Sequence, residues 1–382
     1  MENQKHLFNL PEGVHYLNGA YMSPNLKSVE QAGIDGVKRK TNPTSIKESD
    51  FFQPAEEVKS LFGKLINASS KQIALIPSAS YGLMNAIRNV PFKKGQHAIT
   101  VNEEFPSDHL TLRKICQDNK AKLKVIRPPK LIEGRTQAWT DKIIDSITEE
   151  TTVLVMSSIH WMEGLKFDLK AIGEKCRATN TFFIVDGTQS VGALPMDVET
   201  FKIDALICAS YKWLLGPYSS GLAYYGEKFN DGEPIEYSWM TRKDGNDFSK
   251  LTNYPEEFGE GAMRYNVGEF SNFIALPMIK AALEQILKWK PENIQNYCFD
   301  LLSPLRKYLE NKQVQKDDDH LVSAHLYGLF LPENVNLKNL MEDLKANNIH
   351  ISARGNSIRI SPHVYNESND VNSLIEVLDK HF

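Results

Sequence analysis

The sequence predicts an α/β fold: a parallel sheet covered by helices on both faces, followed by a smaller α+β layer. Two patterns carry this. From about residue 70 to 186, short apolar runs alternate with stretches of helical spacing, the mark of parallel strands joined by crossover helices. Within Thr181–Gly226 three more runs follow closely: Phe182–Val185, Ala205–Ala209 and Gly221–Tyr225. They are short, bounded by Gly or Asp, and rich in Val, Ile, Phe and Tyr, as buried strands are. Polar residues then fall at strand ends, and in open α/β sheets ligands bind at the carboxyl ends of strands.

The elements follow in order. Residues 1–15 are polar with a Pro-Glu-Gly turn and carry no fold signal of their own. Tyr16–Pro24 is short and turn-rich, and Glu56–Asn67 has helical apolar spacing. Ile73–Ile76 reads as a strand, Pro77–Ser80 as a small-residue turn, and the stretch from Tyr81 as a helix with Ser80 as its N-cap. His97–Val101 is a strand that runs into Asn102–His109, where Asp108 reads as the N-cap of the next helix. Leu123–Ile126 is a strand, Asp141–Ile147 a helix, Thr152–Ser157 a strand, and Asp168–Ala178 a helix leading into the central stretch. Residues 230–270 show no clean period, and a long irregular segment of this kind usually serves function or an interface. Phe273–Lys288 reads as the helix connecting to a second unit. That unit reads as helix Ile294–Leu309, strand Ala324–Phe330, helix Leu337–Asn347, strands Ile349–Ser352 and Ser357–Ile360, and helix Val371–His381.

A chain of 382 residues accommodates a large and a small domain. The large one is drawn over 16–270, and the small one over 1–15 with 271–382. An apolar fraction of 41% suits a sizeable core, and a net charge of −4 argues against an electrostatic nucleic-acid binder. The N-terminus has no signal-peptide pattern, and no apolar run approaches the roughly 20 residues of a membrane span. Cys116, Cys176, Cys208 and Cys298 are scattered without metal-ligand spacing. A reduced, cytoplasmic protein without a metal site is the expectation.

The chemistry is read from Asp186, Gln189, Ser210 and Lys212, which lie at adjacent strand ends. A lysine amine forms a Schiff base with an aldehyde cofactor. A carboxylate holds a pyridine nitrogen protonated, so that the ring accepts electrons from a substrate carbanion. Alone, each residue has a plain explanation as a cap or a surface charge. As an ordered set they point to pyridoxal 5′-phosphate.

The motif VDGTQSVG followed by SYKWLLGP resembles the class V aminotransferase family of fold type I enzymes, which includes cysteine desulfurases, kynureninases and isopenicillin N epimerase-like proteins. The resemblance runs from Tyr16–Pro24 to Ile358–Asn366. It implies a large domain with a mostly parallel seven-stranded sheet, a smaller α+β C-terminal domain, and a homodimer. It implies catalytic roles for Lys212 and Asp186. Cofactor contacts are implied for Gln189 at the ring oxygen, for Ser210 and Tyr211 at the phosphate, and for Ala79 and Ser80 at the phosphate through the turn before a helix. Phe105 takes the position of the stacking ring, and FPSDH is similar to the kynureninase form. The segment around Ser271 and Asn272 resembles the one that crosses to the partner's phosphate. Arg359 matches the clamp for the substrate α-carboxylate. Tyr21 and Trp161 fall near the substrate, and the Asn that many members carry near Trp161 is missing.

The implied substrate is a small α-amino acid. A desulfurase needs a thiolate on the loop before Arg359, and residues 347–359 hold no cysteine. Aminotransferase-like chemistry is the leading expectation. A C–S lyase or desulfurase-like activity, or a kynureninase-like hydrolase, without a catalytic cysteine is the alternative. From another class, a cofactor-free structural or regulatory relative is disfavoured by the intact Asp186 and Lys212. A nucleotide-binding dehydrogenase would need a Gly-rich turn that PSASYGL is not.

Overall fold

The computed structural model of the protein describes residues 1–130, 133–314 and 316–382. In chain order its elements are β1 (His15–Tyr16), α1 (Lys27–Arg39), α2 (Gln53–Ile66), β2 (Ile73–Ile76), α3 (Ala79–Arg88), β3 (His97–Val101), α4 (Pro106–Asp118), β4 (Lys122–Ile126), α5 (Arg135–Ser146), β5 (Thr151–Ser157), α6 (Leu169–Ala178), β6 (Phe182–Asp186), β7 (Ala205–Ala209) and β8 (Gly221–Tyr225). After an irregular stretch come α7 (Ala275–Trp289), α8 (Pro291–Leu301), α9 (Ser303–Asn311), β9 (Tyr327–Phe330), α10 (Leu337–Ala346), β10 (Ile349–His350), β11 (Ser352–Arg354), β12 (Ser357–Ile360) and α11 (Ser368–Leu378).

Seven strands form the main sheet in the order β2-β8-β7-β6-β5-β3-β4. Only β8 runs antiparallel to its neighbours β2 and β7; the remaining pairs are parallel. The sheet is therefore mixed and mostly parallel, as expected. Its inner strands β3, β5, β7 and β8 are buried along their whole length and β6 from Phe183 onward, which explains their continuous apolar runs. The edge strand β4 exposes Lys122 and Lys124, and charges on an open edge discourage pairing with another chain. The parallel strands share one direction, so Asn102, Ser158, Gly187 and Ser210, which follow β3, β5, β6 and β7, emerge along one edge of the sheet. That edge carries the candidate site.

The C-terminal layer has an antiparallel sheet of order β11-β12-β9. The N-terminal segment joins this layer: β1 pairs in parallel with β10, and Asn18 bridges to Ser361. Helix α7 packs on α1 and α2.

Local differences from expectation have local causes. The helix expected over Ile294–Leu309 is two helices, because Pro304 has no N–H to donate to the Asp300 carbonyl. Helix α3 is capped by Ser78, not Ser80: the Ser78 hydroxyl accepts from the Tyr81 N–H at 3.2 Å. Asp108 does not cap α4; the helix begins at Pro106, with its first turn fixed by proline, and Asp108 lies inside it. Helix α5 starts at Arg135, well before Asp141. The strand expected over Ala324–Phe330 shortens to β9, and Ile349–Ser352 divides between β10 and β11.

One glycine locks two turns of the site edge together. Gly192 has φ +105°, and a Cβ there would lie 2.2 Å from the Trp213 carbonyl oxygen. A side chain meets both backbone strain and a backbone clash. Gly192→Ala should destabilise the fold by about 2–4 kcal/mol. The check is the denaturant midpoint; an unchanged midpoint contradicts this packing.

Candidate active site

A cavity of about 260 Å³ opens at the carboxyl edge of the sheet. The turn after β2 contributes Ser78, Ala79 and Ser80, and the turn after β3 contributes Phe105. Asp186, Thr188 and Gln189 come from the turn after β6, and Tyr211 and Lys212 from the one after β7. A larger cavity, about 620 Å³, lies wholly within the irregular residues 233–258 and shares no residue with this one. Size alone would favour the larger; the convergence of a lysine and an acid favours the smaller.

Lys212 is 6% exposed, and its Nζ makes no hydrogen bond or ion pair among the described residues. The Nζ sits 5.4 Å from the centroid of the Phe105 ring and 5.5 Å from that of Tyr211. Burial pulls the amine down to about 8, opposed by Asp186 and assisted by Arg359 and Arg354. Roughly one amine in ten is then neutral at pH 7, against about one in a few thousand for an exposed lysine.

Three buried acids lie behind it. Asp186 accepts from the Thr188 N–H at 2.8 Å, and burial raises its carboxyl while Thr188 and Lys212 draw it back. Glu104 accepts from the Ser157 N–H at 2.7 Å and the Phe105 N–H at 2.8 Å. Burial pushes Glu104 up to about 7 even so. Neither carboxylate oxygen of Asp108 has a donor, and burial, then Asp186 and Glu104, push it well above the carboxylate range. Like charges this close oppose one another's ionisation, so all three carboxyls hold their protons to higher pH than free carboxylates do.

At the far side, the first amides of α3 have no intrahelical acceptor, and Ser78 satisfies only that of Tyr81. Ala79 and Ser80 therefore offer free N–H groups at a helix N-terminus, where anions are favoured. The Gln189 amide donates to the Ala20 carbonyl at 3.1 Å and accepts from the Trp213 indole at 2.9 Å, leaving one N–H for the cavity. Ser210 is fully buried and does not line the cavity; its hydroxyl donates to the Pro217 carbonyl at 2.6 Å.

Trp161 lines the mouth. Its indole donates to the Glu103 carbonyl at 2.7 Å and its ring meets Phe105 edge-on. Arg359, 1% exposed, stands behind Trp161 and is not itself in the cavity lining; it donates from Nη1 to the Trp161 carbonyl at 2.9 Å, and its Nε has no partner. Tyr21 is 58% exposed and does not line the cavity. Ser271 and Asn272 also stand outside it; the Asn272 side chain accepts from the Ile274 and Ala275 N–H groups at the start of α7. Sequence reasoning missed Ser78, Thr188 and the Glu104–Ser157 contact. The SxS turn was a visible signal for Ser78; a pairing across 53 residues had none.

Comparison with known proteins gives this geometry its relatives. The family model described as aminotransferase class-V matches residues 37–374. The chain is 24% identical to an uncharacterized aminotransferase, YcbU of Bacillus subtilis, over 330 residues, covering 85% of this chain and 83% of that protein. It is 30% identical to the cysteine desulfurase IscS of Shewanella pealeana over 208 residues, 53% of this chain and 50% of that one. An apo cysteine desulfurase structure from Thermococcus onnurineus matches with a TM-score of 0.83 at 16% identity, over 100% of this chain and 98% of that one. A C-DES variant with glycine covalently linked to its PLP cofactor matches with a TM-score of 0.86 at 15% identity, over 99% and 100%.

The electrostatics generate two predictions. In competitive labelling with acetic anhydride, Lys212 should half-react near pH 8, below the ordinary 10.5. Asp186→Asn should lower that midpoint and Arg359→Gln raise it, because the acid favours the charged amine and the cation opposes it. A midpoint near 10.5 would contradict the burial argument. Glu104 binds a proton in the folded chain that the unfolded chain releases, between 4.5 and about 7. Stability therefore falls as pH rises through that window, and Glu104→Gln should flatten the fall in denaturant midpoint. An unaltered slope counts against a proton-holding Glu104.

Proposed function

Because the chain belongs to the class-V aminotransferase family, we propose that it is a pyridoxal phosphate-dependent enzyme that acts on an α-amino acid through Lys212, with transamination as its reaction. The observation that carries this reading is Lys212: a buried amine with no protein partner, drawn towards neutrality, in one cavity with Asp186. A lysine without a counter-ion is costly to bury, and a group that consumes the amine removes that cost.

The residues fit the cofactor. Free N–H groups of Ala79 and Ser80 suit its phosphate, with Tyr211 lining the same cavity; Asp186 suits its ring nitrogen and Phe105 its ring face. When bound, pyridoxal phosphate supplies an aldehyde for amines and a ring that delocalises the electron pair left at Cα. Lys212 Nζ then takes the proton from the substrate Cα and returns one during the second half of the exchange. Asp186 holds a proton at the ring nitrogen. Gln189 has one N–H left to donate to the ring oxygen. Arg359 holds the α-carboxylate, which orients the Cα–H bond towards the lysine. Ser210, with its hydroxyl committed to Pro217, is a poor phosphate donor. A homodimer in which Ser271 or Asn272 reaches the partner's phosphate accords with their place outside the cavity of their own chain.

A persulfide route through a protein thiol is disfavoured. All four cysteines are buried, and burial raises Cys116 to about 11 and Cys176 to about 12, with Cys208 and Cys298 also shifted up. None offers an accessible thiolate.

Purified protein supplied with pyridoxal phosphate should develop an absorbance band that shifts with a substrate amino acid. A keto acid added as acceptor should return its cognate amino acid. Release of sulfide or ammonia without an acceptor would replace transamination with elimination. After borohydride, wild type should retain the cofactor covalently and Lys212→Ala should lose it, with turnover down about a hundred- to ten-thousand-fold. Full turnover by that variant would refute the role of Lys212.

A further inference from the structure

Arg354 and Arg359 share one face of a hairpin. Strands β11 and β12 are antiparallel, with Ser352 opposite Arg359 and Arg354 opposite Ser357. Arg354 lies two residues from Ser352, so its side chain emerges on the same face as that of Arg359, one diagonal step away. Both guanidinium groups come to Trp161: Arg354 lies 5.6 Å from the ring centroid and Arg359 6.0 Å. Trp161 lines the cavity of Lys212.

Neither arginine has a carboxylate partner among the described residues. Arg359 makes one hydrogen bond, to the Trp161 carbonyl, and keeps an orphaned Nε. Arg354 is half-buried and donates only to the carbonyl of its neighbour Ala353, at 2.7 Å. Arg135 pairs with Glu163 and Arg306 with Asp319, whereas the half-buried Arg242 and Arg264 meet backbone carbonyls and the Phe258 ring. What sets Arg354 and Arg359 apart is that two such cations meet at one indole beside the Lys212 cavity. Two permanent cations brought together without a counter-ion repel each other and lose hydration. Such a pair is a receptor for two anionic groups.

One α-carboxylate accounts for Arg359. The amides at the α3 N-terminus account for the cofactor phosphate. Arg354 remains. We propose that Arg354 receives a second anionic group on the substrate side chain, so that the enzyme selects α-amino acids with an acidic side chain over neutral ones. This rests on Arg359 as the holder of the α-carboxylate and adds a specificity residue to the same site. The hairpin turn, with Gly355 in the left-handed region at φ +57°, carries Arg354 at the rim while Arg359 stays in the sealed interior. The order suits a substrate whose α-carboxylate enters first and whose distal charge stays nearest solvent.

The test uses the purified protein and simple acids as probes, with calorimetric titration as the readout. Succinate has two carboxylates and propionate one. Wild type should bind succinate at least about tenfold more tightly than propionate. Arg354→Gln should abolish that preference by weakening succinate about tenfold, with propionate within about twofold; Arg354→Lys should recover part of it. Equal affinity for the two acids in wild type, or equal weakening of both by Arg354→Gln, overturns the proposal. So does a loss confined to pyridoxal phosphate uptake, which would make Arg354 a phosphate contact. Failure of Arg359→Gln to weaken propionate removes the premise. Absence of any cofactor band would refute the function proposed above, while the succinate preference would still decide the role of the arginines.

Discussion

The hydrogen bond from the Trp213 indole to the Gln189 side chain is the contact on which the site depends. Gln189 lies on the turn after β6 and Trp213 on the turn after β7, so the bond fixes two strand ends against each other. The indole is fully buried and meets His325 edge-on at 4.4 Å between ring centres. His325 in turn bonds the Gln189 carbonyl at 2.7 Å. Lys212 is the residue beside that indole, and Asp186 is three residues before the glutamine. The lysine and the acid are held in one cavity by Trp213 and His325, which do not line it, acting through Gln189, which does. The closeness of Gly192 to Trp213 makes the same junction from the backbone side.

That rigid junction sustains an otherwise unfavourable charge arrangement. A lysine amine without a hydrogen-bonded partner and three buried acids with raised proton affinities gather at the edge of the sheet, Lys212 and Asp186 lining the cavity itself. Each would relax if the strand ends could separate. Ordinary packing cannot reward such a cluster, because an uncompensated buried charge costs several kcal/mol. The proposed ligand, with its ring nitrogen, phosphate and carboxylate, would offer these groups the partners that the chain does not. The free amides of α3 and the two arginines beside Trp161 would do the same for its anionic groups.

Much of this was legible in the sequence, for a physical reason. Buried parallel strands must be apolar throughout, so Phe182–Val185 and Ala205–Ala209 stand out, and the first polar residues after them mark the site edge. Asp186 and Lys212 are found that way. Choices between adjacent residues were less legible. Ser78 and Ser80 are equally good caps by type, and only the local backbone decides for Ser78. Asp108 looked like a cap because acids often are; Pro106 had already started the helix, and the carboxyl turned inward to Asp186 instead. The break at Pro304 was written in the sequence and overlooked in an otherwise regular apolar pattern. Contacts across many residues, such as Glu104 with Ser157 or Arg359 with Trp161, leave no local trace.

The sealing of all four thiols has a practical side. A chain with Cys116, Cys176, Cys208 and Cys298 between 0% and 2% exposed is blank to maleimide dyes while it stays folded. A lone cysteine introduced at the exposed tip of the arginine hairpin, as in Asn356→Cys, would then carry a fluorophore without background. Stationed next to Arg354, that dye would turn the arrival of a charged molecule at the rim into a change of light, and the chain itself into an optical sensor of its own ligands.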